Sequence, residues 1–333
     1  MPKIELHVHL EGSTDPQTTY EMARRNQVDL PVSTLSEWQA WYVFKDFNHF
    51  IDVYVLATSV MKQPEDYVAM VESYMRTQAE QNIVYSEVYL STSLHRNKFS
   101  IETILDALST GIDHGTRRYG TSIKLIPDIS RHLASEDIEA QEYVLEFALQ
   151  AKERGIGIGM GIGGKEIGHE PEKFTHIFAQ AKEKGLRVVA HAGETDGAKS
   201  VAGALDALKA ERIGHGVRAI EDNQLLEKLR TSRIPLEVSP QSNYCLGVVA
   251  RDTPHPIRTL VDAGVICTVN TDDPPFFSTD LTNEYLTLAA QGFSLDELWQ
   301  LNRNALDAAF LSDDERRIYQ KTFDDFEAAI PGL

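Results

Sequence analysis

Short runs rich in aliphatic and β-branched residues recur along the chain. They are Ile4–Leu10, Ile83–Leu90, Ser122–Ile129, Gly155–Ile162, Leu186–Ala192, Arg212–Gly216, Ile234–Ser239 and Val265–Asn270. Their length and composition predict strands. Most are followed by a stretch with apolar residues three and four apart, the spacing of one helix face. In Pro171–Lys184 these are Phe174, Ile177, Phe178 and Ala181; Asp222–Leu229 and Pro256–Ala263 behave similarly. Strands alternating with helices predict a parallel sheet. Eight such units predict an α/β architecture closed into a (β/α)8 TIM barrel.

The pattern breaks twice. Residues 11–82 separate the first two strands by far more than one crossover, which predicts a helical insertion. It carries Trp38, Trp41, Tyr42, Phe44, Phe47 and Phe50. These can form a satellite apolar cluster, or a lid over the barrel mouth with Phe44 and Phe47 facing a ligand. Residues 282–333 read as two or three C-terminal helices. Length alone suggests about two domains. The repeated unit, with no Pro-, Gly- or Ser-rich linker, predicts that residues 1–333 form one.

Composition narrows the function classes. Lys and Arg number 32 against 50 Asp and Glu, a formal charge of −18. That field disfavours nucleic acid and anionic membranes as partners. No apolar run reaches the roughly 18 residues of a membrane span, and the first residues lack a signal-peptide core. Cys245 and Cys267 cannot build a disulfide framework, and neither resembles a nucleophile. A cytoplasmic setting is expected.

The chemistry concentrates at strand ends. His7 and His9 are two apart on a strand, so their side chains share a face. The fifth strand ends in His191-Ala192-Gly193-Glu194, the sixth in Gly214-His215-Gly216, and the eighth in Asn270-Thr271-Asp272-Asp273-Pro274. In a (β/α)8 barrel the strand C-termini form the active site. Three histidines and one aspartate, with a position left open, suit a catalytic zinc. Such an ion brings the pKa of its water down toward about 7. Glu194 and Asp273 are then available as acid and acceptor, and His215 as base or orienter.

Four segments together resemble the adenosine/adenine deaminase family of the amidohydrolase superfamily. They are Pro2–Leu10, His191–Glu194, Arg212–Gly216 and Thr271–Pro274, and the likeness runs from residue 2 to about 285. The resemblance implies one zinc per chain, held by His7, His9, His191 and Asp272. It implies that His215 orients and helps deprotonate the attacking water, and that Glu194 protonates N1 of a purine. Asp273 would hydrogen-bond N7, and the backbone N–H of Gly164 would reach N3. The implied reaction replaces the 6-amino group with oxygen and releases ammonia from a small 6-aminopurine.

The residues leave the purine open. Glu11 stands where adenosine enzymes carry a ribose-contacting Asp, and Glu there is familiar from adenine deaminases. Those tend to carry Asp at the position of Gly214, and Ser-Ser-Glu where this chain has Gly163-Gly164-Lys165-Glu166. That glycine run and Phe44–Ile51 resemble aminodeoxyfutalosine deaminases. An adenine nucleoside of adenosine or aminodeoxyfutalosine type is the main expectation, and free adenine the alternative. A binuclear amidohydrolase bridged by Lys165 and a purine-binding protein without catalysis complete the set. Gly155–Gly164 reads as a closely packed strand rather than a phosphate loop. His169 and the pair Arg131-His132 are candidate substrate contacts from neighbouring loops; Ser239, Ser242 and Asn243 after the seventh strand can position the site or make ordinary loop hydrogen bonds.

Overall fold

The structure, a computed structural model, describes residues 1–43 and 47–330. Phe44 and the side chain of Phe47 lie outside the described residues, and with them the expectation that both face a ligand. Eight parallel strands run in sequence order: β1 (Lys3–His9), β2 (Ile83–Leu90), β3 (Ser122–Ser130), β4 (Gly159–Gly163), β5 (Arg187–Ala192), β6 (Arg212–His215), β7 (Leu236–Val238) and β8 (Cys267–Val269). Helices cover the sheet, so β1 is buried along its whole length, as expected of a parallel strand covered on both sides. This is the expected (β/α)8 barrel.

Closure between β8 and β1 is made by a few specific bonds. His9 N donates to Asp272 O at 2.8 Å, and Asp272 N to His7 O at 3.1 Å. Asn270 Oδ1 accepts from the backbone N–H groups of Leu6 and His7 at 2.9 and 3.1 Å. The seam of the barrel therefore runs through the residues that carry the site.

Three strands are clearly shorter than the sequence predicted: β7 and β8 keep only the middle of their expected runs, and β4 loses its start. β4 begins at Gly159, not Gly155. Gly155 has φ +74° and ends the preceding helix turn. Residues 156–158 form an isolated bridge to β3, through the Leu125–Ile156 and Ile158–Leu125 backbone bonds. Without side chains at Gly155 and Gly157 little drives regular pairing there.

The insertion between β1 and β2 forms four helices, α1 (Pro16–Arg25), α2 (Leu35–Tyr42), α3 (Phe47–Ser59) and α4 (Pro64–Glu80). Thr34 and Glu37 form a reciprocal capping box at the start of α2. Trp38, Tyr42, Phe50, Val53 and Ala57 bury against Phe276 and Phe277. Those two phenylalanines follow Asp272 and Asp273 after Pro274 and Pro275, so the aromatic cluster braces the loop after β8. Three helices end the chain (Leu281–Ala290, Leu295–Ala308, Asp313–Ala329). Trp299, Leu306 and Phe323 cover Ile4 and Leu6 of β1. Among the described residues no helix is long and apolar enough to cross a membrane.

Candidate metal centre and active site

β1, β5 and the loop after β8 bring His7, His9, His191 and Asp272 together. One ligand atom from each lies within 4.8 Å of all the others, and all four residues are buried. The outer nitrogens of two rings are committed elsewhere. His7 Nδ1 meets Glu237 Oε2 at 2.9 Å, and His191 Nδ1 meets the carbonyl of Ile162 at 3.0 Å. A carboxylate and a carbonyl only accept, so both Nδ1 atoms carry the proton and both Nε2 atoms offer lone pairs. His7 Nε2 is buried with no hydrogen-bond partner. His9 Nε2 is 3.1 Å from His191 Nε2 and 3.3 Å from Asp272 Oδ1. Converging lone pairs around an orphaned buried nitrogen fit a cation.

His215 and Asp272 both adopt left-handed backbones, φ +62° and +67°. Non-glycine residues rarely do, and such strain clusters at functional sites. Ser242 Oγ donates to Asp272 Oδ2 at 2.6 Å. Glu5 Oε1 accepts from the backbone N–H and hydroxyl of Thr271 at 3.0 and 2.6 Å. Together these fix the turn that aims Asp272.

Glu194 lies beside the donor set, its Oε2 3.8 Å from His215 Nε2. Burial, then the charges of Asp272 and Glu166, push its carboxyl up to about 8. Asp273 is likewise raised by burial and by Asp272, and its Oδ1 is buried without a partner. A Cβ on Gly12 would stand 1.6 Å from that oxygen, so glycine there keeps the Asp273 position open. Gly164 has φ +80°, which glycine adopts at no steric cost. Lys165 is exposed on the loop beyond it. His169 Nδ1 bonds Ser135 Oγ at 3.0 Å, and His132 packs against Gly164.

Glu11 is buried, but the surrounding chain holds it. Its Oε1 accepts from Ser91 N at 2.9 Å and pairs with His95 Nε2 at 3.0 Å; Oε2 has no partner.

Several residues that shape the site went unnoticed in the sequence. Glu237 orients His7. Glu166 accepts from the N–H groups of Gly193, Glu194 and Thr195 at 2.8, 2.9 and 2.8 Å, which pins the loop carrying Glu194. Arg131, read from the sequence as a candidate substrate contact, is fully buried and donates to the carbonyl of His191. Asp128, near the end of β3, has its Oδ1 buried and unpartnered. Burial, with the charge of Glu11 adding to it, pushes its carboxyl up to about 6. The available signal was a lone charge inside an apolar strand, as in Leu236-Glu237-Val238 and Ile126-Pro127-Asp128-Ile129. Buried charges need partners or tasks.

The model of the adenosine deaminase family matches residues 2–325. The chain belongs to the adenosine deaminase family. It is therefore a hydrolase of cyclic-amidine C–N bonds, a deaminase of the amidohydrolase superfamily. An adenine deaminase of Geotalea uraniireducens is 39% identical over 329 residues, covering 98% of this chain and 91% of that protein. Among solved structures, the adenine deaminase of Arthrobacter aurescens superposes with a TM-score of 0.90 at 28% identity, covering 98% of this chain and 99% of the other. An Arabidopsis N6-mAMP deaminase gives 0.81 at 25% identity, covering 98% of each. The family's barrel is thus shared across deaminases named for different adenine-type substrates.

Proposed function

We propose that the protein is a zinc-dependent adenine deaminase, which converts adenine and water to hypoxanthine and ammonia. The observation that carries this reading is a buried His7–His9–His191–Asp272 donor set beside Glu194 and Asp273, two carboxyl groups whose pKa values are raised. Three imidazole nitrogens and a carboxylate oxygen suit zinc, with a position to spare. When bound, the ion supplies the acidity that makes water a nucleophile at neutral pH. Both cysteines are free, in keeping with action in the cytoplasm.

The chain's own groups do the rest. An amidine carbon in an aromatic ring is a poor electrophile. Glu194, holding its proton at neutral pH, gives it to N1, and C6 becomes open to attack. N7 of adenine accepts hydrogen bonds, so Asp273 serves it best in the protonated form that its raised pKa favours. The Gly164 N–H reaches N3. The free oxygens of Glu11 and Asp128 only accept when ionised, and so they fit an N–H donor such as N9–H of the base. They also disfavour a phosphate group nearby. Asp128→Asn is expected to raise KM for adenine about tenfold with kcat little changed, the scale of one hydrogen bond to a charged group. Steady-state kinetics checks it, and an unchanged KM removes Asp128 from the site.

A second reading keeps a nucleoside as substrate. It is favoured by Gly214 and Gly163-Gly164-Lys165, which depart from the residues adenine deaminases carry there. At Gly214 a Cβ would approach His7 Cε1 to 2.7 Å, so this packing has no room for the larger residue. Loss of the 6-amino group, followed by ultraviolet absorbance, from adenine, adenosine, deoxyadenosine, N6-methyl-AMP (which releases methylamine) and aminodeoxyfutalosine separates the readings by kcat/KM. Adenine is expected to lead by about tenfold or more. A nucleoside in front replaces the substrate, and no release from any of them overturns the deaminase mechanism.

A further inference from the structure

His215 turns Nε2 toward the site, 3.8 Å from Glu194 Oε2 and 4.0 Å from Asp272 Oδ2. Its other nitrogen faces a buried file of polar groups. Nδ1 is 3.2 Å from Asn243 Nδ2. Asn243 Oδ1 is 3.1 Å from His255 Nε2. His255 Nδ1 is 3.2 Å from the backbone nitrogen of Ile257. His215, Asn243 and His255 are at most 1% exposed, so water does not compete for these bonds.

The far end of the file sets its direction. A backbone N–H can only donate, so His255 Nδ1 must accept. Burial, with the nearby His215 adding to it, pushes His255 down to about 3. The ring is therefore neutral, and its single proton sits on Nε2. That N–H needs an acceptor, which the Asn243 carbonyl oxygen provides. The Asn243 amide nitrogen is then turned to His215 and donates to Nδ1. With Nδ1 accepting, a neutral His215 carries its proton on Nε2, facing the site.

We propose that Ile257 N–H, His255 and Asn243 form a relay that fixes the tautomer of His215, making it a hydrogen-bond donor toward the oxygen that attacks C6. His255 and Asn243 are positioning residues: they touch neither substrate nor metal ligand and act through His215. The donor bonds a lone pair of that oxygen, which orients it and favours its ionised form; the proton is given up to solvent before the attack, not to His215. In this state Nε2 has no lone pair with which to take a proton. The catalytic consequence rests on the deaminase reading, whereas the tautomer does not.

Two readouts test the relay on the metal-loaded full chain. Two-bond proton–nitrogen correlation spectra of 15N-histidine-labelled protein report the tautomer of each ring, and His215 is expected as Nε2–H. Asn243→Asp replaces the donor by an acceptor and is expected to move the proton to Nδ1. It should lower kcat by about 10²-fold or more with KM nearly constant, since a wrong-tautomer histidine in another enzyme costs about 10⁴. His255→Gln can still accept from Ile257 N–H and donate to Asn243. It should keep the Nε2–H tautomer and recover most of the kcat that His255→Phe loses. An Nδ1–H proton on His215 in the unmutated protein overturns the relay. So does an Asn243→Asp enzyme as fast as its parent, which would make His215 a base. If Asn243→Asp does not fold by circular dichroism, the two His255 variants decide alone. An Nε2–H tautomer in a protein that deaminates nothing keeps the relay and removes the substrate reading instead.

Discussion

Replacing Glu194 with glutamine is expected to lower kcat by about 10²–10⁴-fold, the usual contribution of a positioned acid. The substitution is a close test of proton transfer. The backbone on either side is held by Glu166 through the N–H groups of Gly193, Glu194 and Thr195, so the new side chain starts from the same place. Glutamine also has the charge of the protonated acid. The field at His215 and Asp272 is thus close to that of the working enzyme at neutral pH, and what disappears is the transferable proton. Glu194 is outside the four-residue donor set, although it makes a second candidate group with His215 and Asp272; metal content measured by atomic emission is expected to equal that of the parent. Ammonia release within fivefold of the parent rate, with metal retained, would remove Glu194 from the acid role.

The barrel, and the convergence of the candidate residues at its mouth, were legible in sequence because the strands leave periodic marks. Eight aliphatic runs spaced by helical patterns fit one architecture. His7, His9, His191, Glu194, His215, Asp272 and Asp273 all fall at strand ends, where that architecture converges. What lacked a local mark was harder to read. That β4 starts only at Gly159 depends on how residues 156–158 meet β3, which a glycine-rich run does not mark. Glu166 looked like an ordinary loop acid, yet it is buried beneath the Glu194 turn. Asn243, in the short helix Pro240–Cys245, and His255 are twelve residues apart; the place of Asn243 after the seventh strand hinted at a positioning role, but only the packing lines the two up behind His215. Long-range hydrogen bonds carry no periodicity, so the shell supporting the site had to come from the structure.

The same holds for the charge inside the barrel, and it sets the last expectation: Arg212→Met should destabilise the fold by about 3–5 kcal/mol, the cost of breaking a buried ion pair from one side. Arg212 is 1% exposed. Its Nε lies 2.5 Å from Glu237 Oε1 and its Nη1 2.6 Å from Glu87 Oε2. The guanidinium stacks 3.8 Å from the centre of the Phe310 ring. Methionine fills much of that volume but leaves two carboxylates buried without their cation. In the parent, despite burial, Arg212 and His7 hold Glu237 down to about 2. Without Arg212, Glu237 would tend to take up a proton or turn away. Either change disturbs the 2.9 Å bond that orients His7. Loss of such an outer partner typically costs 10–100-fold in metal affinity, so the variant should bind zinc about that much more weakly. Chemical denaturation and competition with a chelator measure the two effects separately. A variant as stable as its parent would show that the Arg212 pairs only offset their own desolvation. Unchanged zinc affinity in a folded variant would show that His7 keeps its orientation without the charge behind Glu237.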